Sequence, residues 1–190
     1  MVNQYEQKNG QKKFVKQLDY KIILVFIPVA FLTYIFHEFG HWVFGELTEN
    51  NMVMNLNYCW PKSGSFITEK HALISSIGGL FFTILQAVIF LLIIEKWNMI
   101  YAYPFVFFAF FVRFFSLVFG GFMKQDEVTI STALEIGKYT IAILVVSILI
   151  LLVWRASIKL KIDLKSNCIF WAISTVALLV VIGSCKIFLK

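Results

Sequence analysis

Five apolar runs, each about 20 residues long and nearly free of charge, follow one another from Ile22 onward and constrain this chain more than any other feature. A helix that rises about 1.5 Å per residue needs about 20 residues to cross a hydrocarbon layer roughly 30 Å thick. No water reaches the backbone there, so each run must close its own N–H and C=O hydrogen bonds as a helix. The runs fall at about 22–44, 71–94, 100–119, 138–154 and 168–188. Composition agrees: 59% of the 190 residues are hydrophobic and 15% charged, and the mean hydropathy of +0.80 exceeds what a soluble core of this size can hide. The expected fold is an all-α polytopic membrane protein with a basic arm at 1–21 and a single transmembrane domain at 22–190.

The net charge of +6 reflects topology rather than nucleic-acid binding, for which no recognition motif is present. Lys8, Lys12, Lys13, Lys16 and Lys21 crowd the arm, and Arg155, Lys159, Lys161 and Lys165 form a second basic segment. Five spans put both segments on one side, which the positive-inside rule makes cytoplasmic, with the N-terminus inside and the plasma membrane as the expected location. The arm is too long and the next run too continuous for a cleaved signal peptide. Cys59, Cys168 and Cys185 are isolated and lack the paired spacings of redox or zinc centres.

Two polar segments face the opposite side. In 45–70, Val53 to Trp60 and Ser65 to Thr68 flank Pro61-Lys62-Ser63-Gly64, so a short β-hairpin turning at the Pro/Gly residues is expected. Residues 122–137 contain Asp126, Glu127 and a short interfacial helix expected near Ser131 to Ile136. Between them, Ala72, Ser75, Ser76, Gly78 and Gly79 give the second run a small-residue face suited to close helix packing.

The first run contains His37-Glu38-Phe39-Gly40-His41. Residues four apart share a helix face, so His37 and His41 can offer two imidazole nitrogens to one zinc ion. Glu38, beside the first ligand, is placed to take a proton from a water and return it to a leaving amine. Gly40 is expected to leave one flank of the site open. A chance histidine pair is the bland alternative, but an ionisable trio inside a span is costly to insert without a function. Tetrahedral zinc needs a third protein ligand, and Asp126 or Glu127, on the histidine side of the membrane, can provide it. Arg113, the one charge of the third run, should lie about as deep as His37, roughly 20 Å from the inner end of its span. There it could pair with Glu38 or Asp126, stabilise an oxyanion, or simply hold a helix end. His71 reads as structural.

These residues resemble the site-2 protease-like intramembrane zinc metalloproteases. His37-Glu38-Phe39-Gly40-His41 matches the HExxH of that family, and Ile77-Gly78-Gly79-Leu80-Phe81-Phe82-Thr83 looks like its Gly-Pro-x-x-Asn helix without the Pro and the Asn. Lys124-Gln125-Asp126-Glu127 stands where the family supplies an aspartate ligand. The resemblance covers roughly residues 30–130 and implies His37, His41 and Asp126 as zinc ligands and Glu38 as the catalytic acid/base. It implies a membrane-protein or peptide substrate, which in this family can add as a strand to a hairpin after the first motif. Members commonly open their zinc site toward the cytoplasm, whereas the charge pattern here places it outside. The prenyl-protein peptidases share HExxH with a glutamate ligand, a pattern that Glu127 would suit. From another class, a non-catalytic membrane binding or immunity protein retaining the fold is the alternative. A haem site is disfavoured, since histidines four apart cannot ligate opposite haem faces.

Overall fold

A computed structural model describes residues 20–120 and 125–188, with side chains over 21–120 and 125–184. Among the described residues, six α-helices and one short sheet run in the order α1 (Tyr20–Glu46), β1 (Met52–Met54), β2 (Cys59–Pro61), α2 (Glu69–Trp97), α3 (Tyr103–Phe119), α4 (Asp126–Ala133), α5 (Thr140–Leu160) and α6 (Leu164–Phe188). A 3₁₀ turn, Ile100–Ala102, leads into α3. Five helices are long and apolar enough to cross a membrane, so the chain is a polytopic α-helical membrane protein. Apart from its last two residues, the basic arm lies outside the described residues.

Helix ends follow local chemistry. Thr68 caps α2 by accepting the His71 N–H at 3.2 Å, and Asn98 ends it in the left-handed region at φ 50°. Pro104 occupies the first turn of α3, where its missing N–H costs nothing. Asp163 caps α6 through the Ser166 N–H at 2.9 Å, and this bond holds the Asp163 carboxyl below its ordinary pKa.

Three boundaries differ from expectation. The fifth apolar run is preceded by a tight turn rather than a long basic loop: α5 extends to Leu160 and carries Arg155 and Lys159. Both reach back to α2, with Arg155 Nε 2.6 Å and Lys159 Nζ 3.9 Å from the Glu95 carboxylate. Charges with partners on a neighbouring helix let the helix continue. The hairpin is also displaced, since its strands pair Met52 with Pro61 and Met54 with Cys59 around a turn at 55–58. There Asn55 Oδ1 accepts the Asn57 N–H at 3.1 Å, an Asx turn that outcompetes the Pro/Gly site. The turn at 61–64 does form, with Gly64 at φ 88° and its N–H on the Pro61 carbonyl, but it follows the second strand. Finally, the short helix begins at Asp126 rather than near Ser131, because acids favour a first turn where helix N–H groups are unpaired.

The core is aromatic. Phe26, Tyr103, Phe107 and Phe170 pack where α1, α3 and α6 meet, and Trp171 lies edge-on to Phe107, Phe110, Phe111 and Phe114. A different device joins α1 to α2. A Cβ on Gly40 would fall on the Gly78 carbonyl, and one on Gly78 would fall on the Gly40 carbonyl and the Phe44 side chain. The two backbones touch at these glycines, as the small-residue face suggested. Gly40 therefore serves helix contact rather than an open flank. Gly78→Val is expected to force the helices apart and destabilise the protein by about 1–3 kcal/mol or more, read as a lowered thermal midpoint in detergent; an unchanged midpoint would show that the contact does not hold the pair together.

Candidate metal centre

The antiparallel α1–α2 pair orients both histidines. His37 Nδ1 lies 2.8 Å from the Gly79 carbonyl and 3.0 Å from Thr83 Oγ1, and His41 Nδ1 lies 2.9 Å from the Ser75 carbonyl. A carbonyl can only accept, so each Nδ1 carries a proton and each ring turns its Nε2 toward the site. Ser75, Gly79 and Thr83 follow one another at four-residue steps, matching the step from His37 to His41. Thr83 Oγ1 donates to the Gly79 carbonyl at 3.1 Å, and Ser75 Oγ donates to the His41 carbonyl at 3.1 Å. Gly79 has a second role, because a Cβ there would collide with the His41 ring.

Asp126 completes the group from the first residue of α4. The join to α3 is stapled by Gln125, whose Nε2 donates to the Ser116 carbonyl at 2.8 Å, and by Gly120, where a Cβ would strike the Gln125 amide. Asp126 Oδ2 lies 3.2 Å from His37 Nε2 and 3.3 Å from His41 Nε2, and the two Nε2 atoms are 3.1 Å apart. Burial opposes ionisation of Asp126, but the His41 and His37 rings outweigh it and hold the carboxyl well below the usual carboxylate range.

This donor set fits zinc. Ligand atoms at tetrahedral corners about 2.0 Å from a zinc ion are about 3.3 Å from one another, the spacing of this triangle. A cation at the centre of the triangle would draw on both Nε2 atoms and the carboxylate oxygen at once. The carbonyl-bound Nδ1–H groups are the outer contacts that orient zinc-ligating histidines elsewhere.

Of the acids considered for the third position, Asp126 joins the histidines and Glu127 does not. Glu127 turns to Arg113, with Oε1 3.2 Å from Nη1. Arg113 comes from α3 to the depth of His37: its Nη2 is 3.3 Å from His37 Nε2 and its Nη1 3.7 Å from Asp126 Oδ2. Glu38 is almost wholly buried and lines the same cavity of about 510 Å³ as His37, His41, Arg113 and Asp126. Asn57, Tyr58 and Cys59 of the hairpin form part of its wall; burial pushes the Cys59 thiol up to about 12, so it stays protonated. His71 is structural: Asn50 Nδ2 donates to its Nδ1 at 3.1 Å, tying the loop to α2.

No protein-family model matches the chain, and no curated protein or solved structure matches it. Function is therefore argued from these residues and their geometry. Sequence reasoning noted Ser75 and Gly79 only as packing residues and passed over Thr83 as a partner of His37. Their common spacing with the histidines was the available signal. Thr83→Val, which keeps the shape and removes the hydroxyl, is expected to weaken zinc binding about 10-fold, measured by competition with a chelator. Unchanged affinity would show that Thr83 does not orient His37.

Proposed function

We propose that this chain is an intramembrane zinc metalloprotease, akin to the site-2 proteases, that hydrolyses a peptide bond within or near a membrane segment of its substrate. One observation carries the reading: His37 Nε2, His41 Nε2 and Asp126 Oδ2 converge at zinc-ligand spacing while both Nδ1–H groups are committed to backbone carbonyls. These three atoms would hold the ion. Zinc bound there supplies Lewis-acid activation of water at neutral pH.

The rest of the chemistry falls to the chain. Glu38 takes a proton from the attacking water as its oxygen bonds to the carbonyl carbon and the π pair moves to the carbonyl oxygen. The tetrahedral species then collapses, the C–N bond breaks, and Glu38 returns the proton to the leaving nitrogen. Burial among apolar helices keeps bulk water from competing for that proton. The cavity lies between the ends of α1 and α3 and the hairpin, so an unwound stretch at the end of a substrate span can reach it without the whole span unfolding.

The charge pattern favours a cytoplasmic N-terminus in the plasma membrane and a site opening to the outer side. Reporter fusions test this: a reporter active only in the cytoplasm should work at the N-terminus and fail within 55–58, and the reverse would invert the topology.

A second reading, a non-catalytic binding or immunity protein, draws on the Arg113 guanidinium beside His37 Nε2, which can satisfy that lone pair without an ion. The two are separated in liposomes with fluorescence-quenched peptides that contain one apolar segment. The purified chain should hold about one zinc and cleave them, and Glu38→Gln should keep the zinc and lose at least about 10²-fold in rate. Cleavage that survives this substitution, or a chain that never takes up zinc, would sink the protease reading.

A further inference from the structure

Arg113 is the single charge in its span, and Glu127 is among the most deeply buried acids in the protein. Two carboxylates in succession on α4 are turned apart by the helical step, so Asp126 meets the histidines and Glu127 meets the guanidinium. The pair is joined by one short contact, Nη1 to Oε1 at 3.2 Å. Arg113 Nε and Glu127 Oε2 are buried with no hydrogen-bond partner among the described residues. A buried pair that was only structural would be expected to close as a two-pronged fork and satisfy both atoms. Here the fork is turned so that Nη2 faces the ligand triangle, 3.3 Å from His37 Nε2.

A guanidinium this close to the ligand atoms is too near to grasp a charged group one residue along a substrate. It is at the distance of the reacting carbonyl itself. We propose that Glu127 is a positioning residue that holds Arg113 against the ligand triangle, where the guanidinium stabilises the negative charge that develops on the oxygen of the attacked carbonyl. This rests on the protease reading and adds a donor to it. The π pair displaced as water adds comes to rest on an oxygen beside Nη2, and the pair returns to the carbonyl when the C–N bond breaks. A fixed donor that meets this charge without having to reorganise lowers the barrier more than it tightens substrate binding.

The test uses the full chain in detergent with Glu127→Gln, Arg113→Lys and the double variant, and Glu127→Asp should Glu127→Gln fail to fold. Phenylglyoxal modification read by mass spectrometry reports positioning without any need for turnover, because the chain has just two arginines and exposed Arg155 is an internal reference. Glu127→Gln should raise the modification of Arg113 relative to Arg155 several-fold and leave zinc content unchanged. On the quenched peptides it should lower kcat about 10-fold or more with KM within about 2-fold, while Arg113→Lys should lower kcat about 10²-fold or more. The double variant should be no slower than Arg113→Lys alone, since both changes remove one unit. An unchanged modification ratio overturns the positioning role. A rise in KM at constant kcat, or a double variant slower by the product of the two effects, overturns the carbonyl role. A chain that cleaves nothing sinks the protease reading and the carbonyl role together, while the modification ratio still decides whether Glu127 holds Arg113.

Discussion

The contact between the α1 and α2 backbones at Gly40 and Gly78 is the constraint from which the rest of the centre follows. Lipid tails are as apolar as leucine, so helices inside a bilayer gain little by hiding apolar surface from one another and associate through close packing and hydrogen bonds. Two glycines opposite each other permit that packing. They also bring the α2 carbonyls within reach of side chains on α1, which ordinary residues at the crossing would prevent. His37 and His41 then donate Nδ1–H to Gly79 and Ser75 and turn both Nε2 atoms to one point. Ring orientation here is a consequence of helix packing.

The third donor depends on a different part of the chain. Asp126 stands at the start of α4, where unpaired helix N–H groups favour an acid, and α4 is held to α3 by the Gln125 amide on the Ser116 carbonyl. At its far end Ser131 Oγ accepts the Ile141 N–H at 3.1 Å and so ties α4 to α5. A short helix tied to both neighbours holds its first carboxylate in place more firmly than a loop would. The hairpin contributes Asn57, Tyr58 and Cys59 to the cavity wall. The three converging donor atoms thus come from a membrane helix and its interfacial neighbour, while the polar loop adds part of the wall.

Much of this was legible in the residues. The run lengths gave the five spans, and the four-residue histidine spacing with an adjacent acid pointed to one face of α1. The small residues of α2 announced a close contact. Less legible were the features set by pairing between distant segments. Nothing local distinguishes Asp126 from Glu127; the helical step does so only once Arg113 arrives from α3 to take the second acid. The hairpin moved off its Pro/Gly turn because an asparagine side chain closed a competing one at 55–58. Arg155 and Lys159 looked like loop residues until Glu95 on α2 supplied a partner. The last two misses differ in origin: the partner of Arg155 and Lys159 lies some sixty residues away, whereas the hairpin was decided by a side chain that closes on a backbone N–H two residues on.

Charge balance bears on what the cavity is built to hold. Glu38, Asp126 and Glu127 line it against one guanidinium, Arg113. Carboxylates removed from water are tolerated only when paired, and the penalty for an unmatched one is steep where the surroundings are apolar. Arg113 is shared between Glu127 and the ligand triangle and can neutralise one acid fully. Glu38 can escape by holding a proton, which suits a residue proposed to carry one. Asp126 meets the two imidazole Nε2 atoms and the edge of the Arg113 guanidinium. A divalent cation at the centre of the triangle would offset Asp126 and favour ionised Glu38, leaving Arg113 to Glu127. On the proposed reading, three ionised acids around one arginine would be matched by a doubly charged ion.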